Sequence, residues 1–174
     1  MSKKLDLLEA ASRVILESGV SGLTLEAVAV EANVSKGGLL YHYPSKDKLI
    51  QAMNQYVIDQ FRAMLEHEVK AGRTFHQAYL YATLNSLRDA KYLNVNTSLL
   101  AAVSNNRDIL AMWKEEYKDY RRRFSAERCK PEVSLLIQTV CDGLWYSKLF
   151  DLSALDLEKE QQLLEYLLVL LEEN

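Results

Sequence analysis

The chain has 174 residues, with 21 Lys and Arg against 24 Asp and Glu and a net charge of −3. At about 150 residues per domain this is one domain, or a small one fused to a larger, and such a chain buries about 70% of its unfolded surface without a staple. Its two cysteines, Cys129 and Cys141, exclude a disulfide framework and lack zinc-site spacing, and no run of 18 apolar residues is present to span a membrane. No secretory apolar region follows Met1-Ser2-Lys3-Lys4, so a soluble protein in a reducing, cytoplasmic setting is expected, with no membrane partner. The charge balance argues against coating nucleic acid by bulk charge. It leaves room for a local basic surface, because residues 34–48 carry Lys36, Lys46 and Lys48 against Asp47.

Six glycines and two prolines punctuate a chain without sustained period-2 alternation, which reads as all-α. The first helix is expected from Lys3 to Ser18, with Leu5, Leu8, Ala11 and Ile15 on one face and Gly19 as its C-terminal cap. Thr24 caps a second helix running to Glu31, with Leu25, Val28, Ala29 and Ala32 inward. Asn33 suits the left-handed residue of a tight turn. Ser35 then caps a short third helix from Lys36 to Tyr43, which Pro44 stops. Ser45 opens a longer helix to Ala71, with a break expected near its middle and Gly72 after it. Further helices are predicted over Thr74–Ala90, Val95–Ser104, Arg107–Glu127, Pro131–Phe150 and Leu155–Glu172.

Thr24–Glu31, a turn at Ala32–Val34 and a helix from Ser35 form a helix-turn-helix arrangement. The second of these helices opens Ser35-Lys36-Gly37-Gly38. Each glycine inside a helix costs about 1 kcal/mol relative to alanine, so two in succession call for a reason. Close backbone approach to a major groove would supply one, with N–H groups facing phosphate and Tyr41, His42, Lys46 and Lys48 as neighbouring donors. The same spacing also fits a loop between two core helices, with Tyr41-His42-Tyr43 as ordinary packing.

The residues Ala10-Ala11, Gly19, Thr24-Leu25-Glu26-Ala27-Val28-Ala29 and the run from Ala32 through Leu49, with its Ser35-Lys36-Gly37-Gly38-Leu39-Leu40-Tyr41-His42-Tyr43-Pro44-Ser45-Lys46 core, resemble the DNA-binding domain of the TetR family of bacterial transcriptional repressors, the TetR/AcrR type. The match covers the first fifty residues or so. The rest resembles the family in being helical, of suitable length and apolar at its end. The resemblance implies an all-α fold with an N-terminal three-helix helix-turn-helix DNA-binding domain, residues 1–48, and a larger helical effector-binding and dimerisation domain, residues 49–174. It also implies position-by-position roles. Thr24 would grip a phosphate. Ser35, Lys36, Gly37 and Gly38 would enter the major groove of double-stranded operator DNA. Tyr41 and His42 would contact backbone and base methyls, and Lys46 would anchor a phosphate. Asn33 stands where the family usually has glycine, and Leu40 where it usually has tyrosine. Leu40 cannot hydrogen-bond a phosphate, which leaves an apolar contact to a thymine methyl or a buried role.

The last helix, with Leu163-Leu164-Glu165-Tyr166-Leu167-Leu168-Val169-Leu170-Leu171, is apolar nearly all round. It must be buried on more than one side, and pairing the last two helices with those of a second copy would do so, as would a wholly internal core position. Candidates for a small-molecule effector pocket are Phe61, Tyr79, Tyr81, Asn85, Met112, Trp113, Tyr117, Cys141, Trp145 and Tyr146, which read equally as plain core. Trp113 and Trp145 stand out because a buried indole needs a partner for its N–H. No phosphate loop, metalloprotease motif or nucleophile elbow occurs, and no catalytic residue, cofactor or metal is expected. His67 and His76 read as solvated surface histidines, Glu66-His67-Glu68 and Arg121-Arg122-Arg123 as charged faces, and the cysteines as inert thiols. The expected function is a dimeric repressor of a palindromic operator, released by a small apolar or aromatic effector. The rivals are a helical enzyme or ligand carrier with an incidental helix-turn-helix, and an activator or architectural DNA binder that needs no effector.

Overall fold

A computed structural model describes residues 3–103, 107–152 and 156–173, the side chains of 100–103 and 157 excepted. The described residues form nine helices and no strand. They are α1 (Lys3–Gly22), α2 (Leu25–Glu31), α3 (Lys36–His42), α4 (Lys46–Lys70), α5 (Phe75–Arg88), α6 (Ala90–Val103), α7 (Arg107–Ser125), α8 (Pro131–Leu149) and α9 (Leu157–Glu172). The all-α expectation holds. Ser104 and Leu155, each expected at a helix end, lie outside the described residues.

Local chemistry explains most boundaries. Gly19 takes φ 69°, a value that costs glycine little, and there α1 kinks before a last turn to Gly22. Thr24 Oγ1 accepts from Ala27 N–H at 3.0 Å, and Ser35 Oγ from Gly38 N–H at 3.0 Å, so both expected N-caps form. Asn33 sits at φ 51° in the turn between α2 and α3. Tyr43, before Pro44, is extended and ends α3. Thr74 and Gln77 close a reciprocal capping box on α5.

Two expectations are corrected. α4 runs unbroken: Lys46–Lys70 contains no glycine or proline, and Ile50, Met53, Val57, Ile58, Phe61 and Leu65 bury one continuous side. α5 ends at Arg88, and α6 starts at Ala90 rather than Val95. The break is Asp89 alone, with extended backbone, and Tyr92, Val95, Asn96 and Leu99 then form the buried face of α6.

Contacts divide the chain into two compact units, residues 1–59 with 90–112, and residues 60–89 with 113–174. In the first, α1 packs on α2 and α6, and α2 on α3. Ala10 and Ala11 are fully buried, which lets backbones approach, and Ser12 Oγ donates to Asn94 O at 2.9 Å. In the second, α5 packs on α8 and α9, and α8 on α9.

Candidate nucleic-acid interface and effector site

α3 has an inner side and an outer side. Leu39 and Tyr43 are buried, and Tyr43 Oη donates to Lys4 O at 3.3 Å. Lys36, Gly37, Leu40 and Tyr41 are exposed, and Tyr41 is 85% exposed with its ring edge-on to His42 at 5.1 Å. A tyrosine that exposed costs apolar area that folding does not recover. The buried alternative for Leu40 is removed, since it is 36% exposed; an apolar contact remains for it.

The two glycines differ. A Cβ on Gly37 would meet nothing within 4 Å, so no contact within the protein requires glycine there. A Cβ on Gly38 would lie 3.2 Å from Ser35 Oγ and crowd the cap. The basic groups nearby are tied. Lys36 Nζ pairs with Glu26 across the two helices, and the hydrogen bond from Lys36 holds the Glu26 carboxyl below its ordinary range. Lys46 Nζ donates to Val20 O at 2.8 Å, anchoring the start of α4 to the end of α1. Thr24 is exposed while its oxygen caps α2.

In the second unit, five of the expected pocket residues belong to one cluster or adjoin it. The Phe61 ring centroid lies 5.7 Å from Tyr79, 5.9 Å from Trp145 and 6.1 Å from Tyr120. Tyr120 lies 5.5 Å from Tyr79 and 5.7 Å from Tyr117. Tyr117 Oη donates to Asp142 Oδ1 at 2.7 Å. Burial pushes all three phenols up, raises the Asp142 carboxyl, and pushes the Cys141 thiol up to about 12, which keeps it protonated and inert.

The remaining candidates are placed elsewhere. Asn85 is exposed, donating to Glu68 Oε1 at 3.2 Å. Met112 belongs to the first unit, where its sulfur accepts from Asn54 Nδ2 at 3.3 Å. Trp113 is half-buried on α7. Tyr81 packs under the Arg73 guanidinium, and Tyr146 is exposed and stacked on Phe150. Sequence reasoning missed Tyr120 and Asp142. Tyr120 is one helical turn beyond Tyr117, and Asp142 follows Cys141; a search for polar groups beside the aromatic candidates would have found both.

Three surface expectations also change. His76 is 2% exposed: Nδ1 donates to Glu127 Oε2 at 2.6 Å, and Nε2 lies 2.7 Å from Ser134 Oγ. Glu127 also accepts from Phe75 and His76 N–H, so this Ser–His–Glu line fastens the start of α5 to the end of α7 and the start of α8. Glu68 is buried and paired with Arg73 at 2.7 Å. Arg123 pairs with Glu66 at 2.6 Å and covers the Phe75 ring, while Arg121 and Arg122 are exposed. Among the described residues no group of three His, Cys, Asp or Glu could hold a metal, and no helix is long and apolar enough to cross a membrane.

α8 and α9 leave large apolar side chains uncovered: Leu135, Leu136, Tyr146 and Phe150 on or ending α8, Tyr166 and Val169 on α9, with Leu164 and Leu167 turned inward.

Comparison with known proteins accounts for this arrangement. Residues 7–53 match the family described as bacterial regulatory proteins, tetR family, and residues 73–172 match the tetracyclin repressor-like C-terminal domain. The HTH-type transcriptional regulator BetI of Burkholderia thailandensis is 36% identical over 70 residues, 40% of this chain. That match spans 36% of BetI, so the chain aligns with little more than a third of its length. A TetR-family member from Streptomyces coelicolor A3 superposes with a TM-score of 0.71 at 21% identity, over 96% of this chain and 98% of that one. The multidrug binding protein EbrR complexed with ethidium superposes with a TM-score of 0.61 at 23% identity, over 95% and 98%. At these identities the two structures show a shared fold. The relatives are transcriptional regulators, not enzymes. With both its N-terminal and its C-terminal segments matched, the chain belongs to the TetR family of DNA-binding transcriptional regulators.

Proposed function

We propose that the protein is a homodimeric repressor of a palindromic operator, released by a small aromatic effector. Residues 1–48 read DNA, and residues 49–174 bind effector and dimerise through α8 and α9. Each subunit lays Ser35–Tyr41 in a major groove. Lys36, Gly37, Gly38, Leu40, Tyr41 and His42 face base edges and backbone, and Thr24 and Lys46 hold phosphates. The observation that carries this reading is the outer side of α3. There Gly37 has open space over it and Tyr41 is left almost wholly in water, while Leu39 and Tyr43 hold the helix to the core. A surface that costs stability without serving the fold fits a surface that serves a partner.

The effector would sit among Phe61, Tyr79, Tyr117 and Trp145, with Cys141 beneath. The ethidium complex of EbrR, which shares this fold, supports an aromatic occupant. Release is a population shift: the effector binds one dimer shape better and draws the heads out of register with the operator.

Gly37→Leu tests the reading. The open space predicts a folded dimer with unchanged helicity, and the close approach predicts loss of specific binding by at least a hundredfold. DNase protection with matched circular dichroism checks both. A Gly37→Leu protein that still protects an operator contradicts the groove assignment.

A further inference from the structure

Glu26, in the first turn of α2, forms an ion pair with Lys36, the first residue of α3. Both side chains stand largely in water, Lys36 being 56% and Glu26 61% exposed. An ion pair so open to solvent adds little to stability. The turn between the helices is held without it. Val34 N–H donates to Ala29 O at 2.9 Å and Asn33 N–H to Val30 O at 3.0 Å, while Thr24 and Ser35 cap the two helices.

What the pair changes is charge. Lys46 and Lys48 donate to neutral oxygens, Val20 O at 2.8 Å and Gln51 Oε1 at 2.9 Å, and keep their full charge. Lys36 is set against a carboxylate, which its hydrogen bond keeps ionised. A lysine so neutralised is a poor phosphate ligand, because the contact would bring the carboxylate beside a second negative group. A guanine edge carries no such penalty, since O6 and N7 are neutral acceptors open to the major groove. The ammonium has three donors; Glu26 takes one and two remain for that edge. Adenine sets its N6 donor beside N7 and opposes an ammonium.

We infer that Glu26 sets DNA specificity through Lys36: it holds that lysine back from phosphate and directs it to O6 and N7 of a guanine in each half-site. This rests on the reading of α3 as the groove helix and names one base that it reads. Glu26 is a positioning residue, and Lys36 makes the contact.

The test uses the full chain and two readouts. Fluorescence anisotropy with a labelled duplex of mixed sequence follows non-specific binding from about 50 to 200 mM salt. Selection of genomic fragments gives the base preferences. Glu26→Gln keeps the size of the side chain and an oxygen for Lys36, and removes only the charge. It should bind the mixed duplex severalfold more tightly at low salt, with a plot of log K against log salt steeper by about one, the slope of one added phosphate contact. In a Lys36→Met background the same substitution should leave the slope unchanged. The wild-type half-site should hold a G·C pair whose preference falls at least tenfold in Lys36→Met and severalfold in Glu26→Gln, with the other positions kept. An unchanged slope in Glu26→Gln, a steepening that persists without Lys36, or a half-site indifferent to Lys36→Met overturns the inference and leaves DNA recognition by α3 standing. A folded wild type that selects no palindromic site overturns both.

Discussion

Burial raises the Asp142 carboxyl above its ordinary value of 3.8, against the opposing hydrogen bond from Tyr117. The sign of the consequence follows from proton counting. Between 3.8 and the raised folded value the native state holds a proton that the unfolded state has released, so stability falls as pH rises through that window. Asp142→Asn removes the group. Urea titrations from pH 4 to pH 7 should show the variant gaining on the wild type as pH rises, with the gain levelling once the carboxyl is ionised. A difference that shrinks with pH contradicts the desolvated carboxylate. At this scale the caps were legible: Thr24 and Ser35 each meet a backbone N–H three residues on, and that is a local event. His76, Glu68 and Lys46 were misread or incompletely read. His76 and Lys46 meet partners 51 and 26 residues away, which no window of sequence brings together. Buried Glu68 accepts from half-buried Arg73 and exposed Asn85, both beyond the turn that ends α4.

Helix positions followed from apolar spacing and from breakers. Misses came where a single ordinary residue did the breaking. Asp89 parts α5 from α6 with neither glycine nor proline, and α4 spans 25 residues because nothing in it interrupts the buried side. The start of α5 shows how elements are fastened. Glu127 accepts from two backbone N–H groups there and from the His76 ring, three bonds from one carboxylate. Removing it strips a helix terminus and leaves a buried imidazole nitrogen unpaired, together about 3 kcal/mol. For a chain of this length that is a fall in Tm of about 6–12 °C. Ser134→Ala removes the weaker neutral end of the line and should cost less than half as much. Scanning calorimetry of the two variants checks this order. A Glu127→Ala protein that melts with the wild type contradicts the fastening role.

The uncovered side chains of α8 and α9 belong to the scale of the whole molecule. A last helix that is apolar nearly all round was readable as one needing burial on several sides, and its inward residues Leu164 and Leu167 satisfy only one. The sequence could not say which side would remain open, because that depends on where α5 and α8 pack. Leu135, Tyr146, Phe150, Tyr166 and Val169 would be covered by the same helices of a second copy, in a two-fold arrangement. Placing charge there, as Leu135→Glu with Tyr166→Glu, should give monomers in sedimentation at micromolar concentration, with helicity kept. A double variant that sediments as a dimer contradicts this interface. The unit made of residues 1–59 and 90–112 was not legible either: α6 lies against α1 across some eighty residues of chain, held by the Ser12–Asn94 bond and by close-packed alanines.

Sequence-specific DNA recognition by α3 is the central claim, and selection of genomic fragments by the purified protein tests it most directly. The selection is run at low and at physiological salt and read by sequencing. Contacts to phosphate alone fade steeply as salt rises, whereas base contacts keep one site above the background. The account predicts enrichment of a palindromic site that persists at the higher salt, and its loss when an effector is added. Uniform recovery of fragments at low salt and none at physiological salt, from a folded dimer freed of ligand, would contradict it.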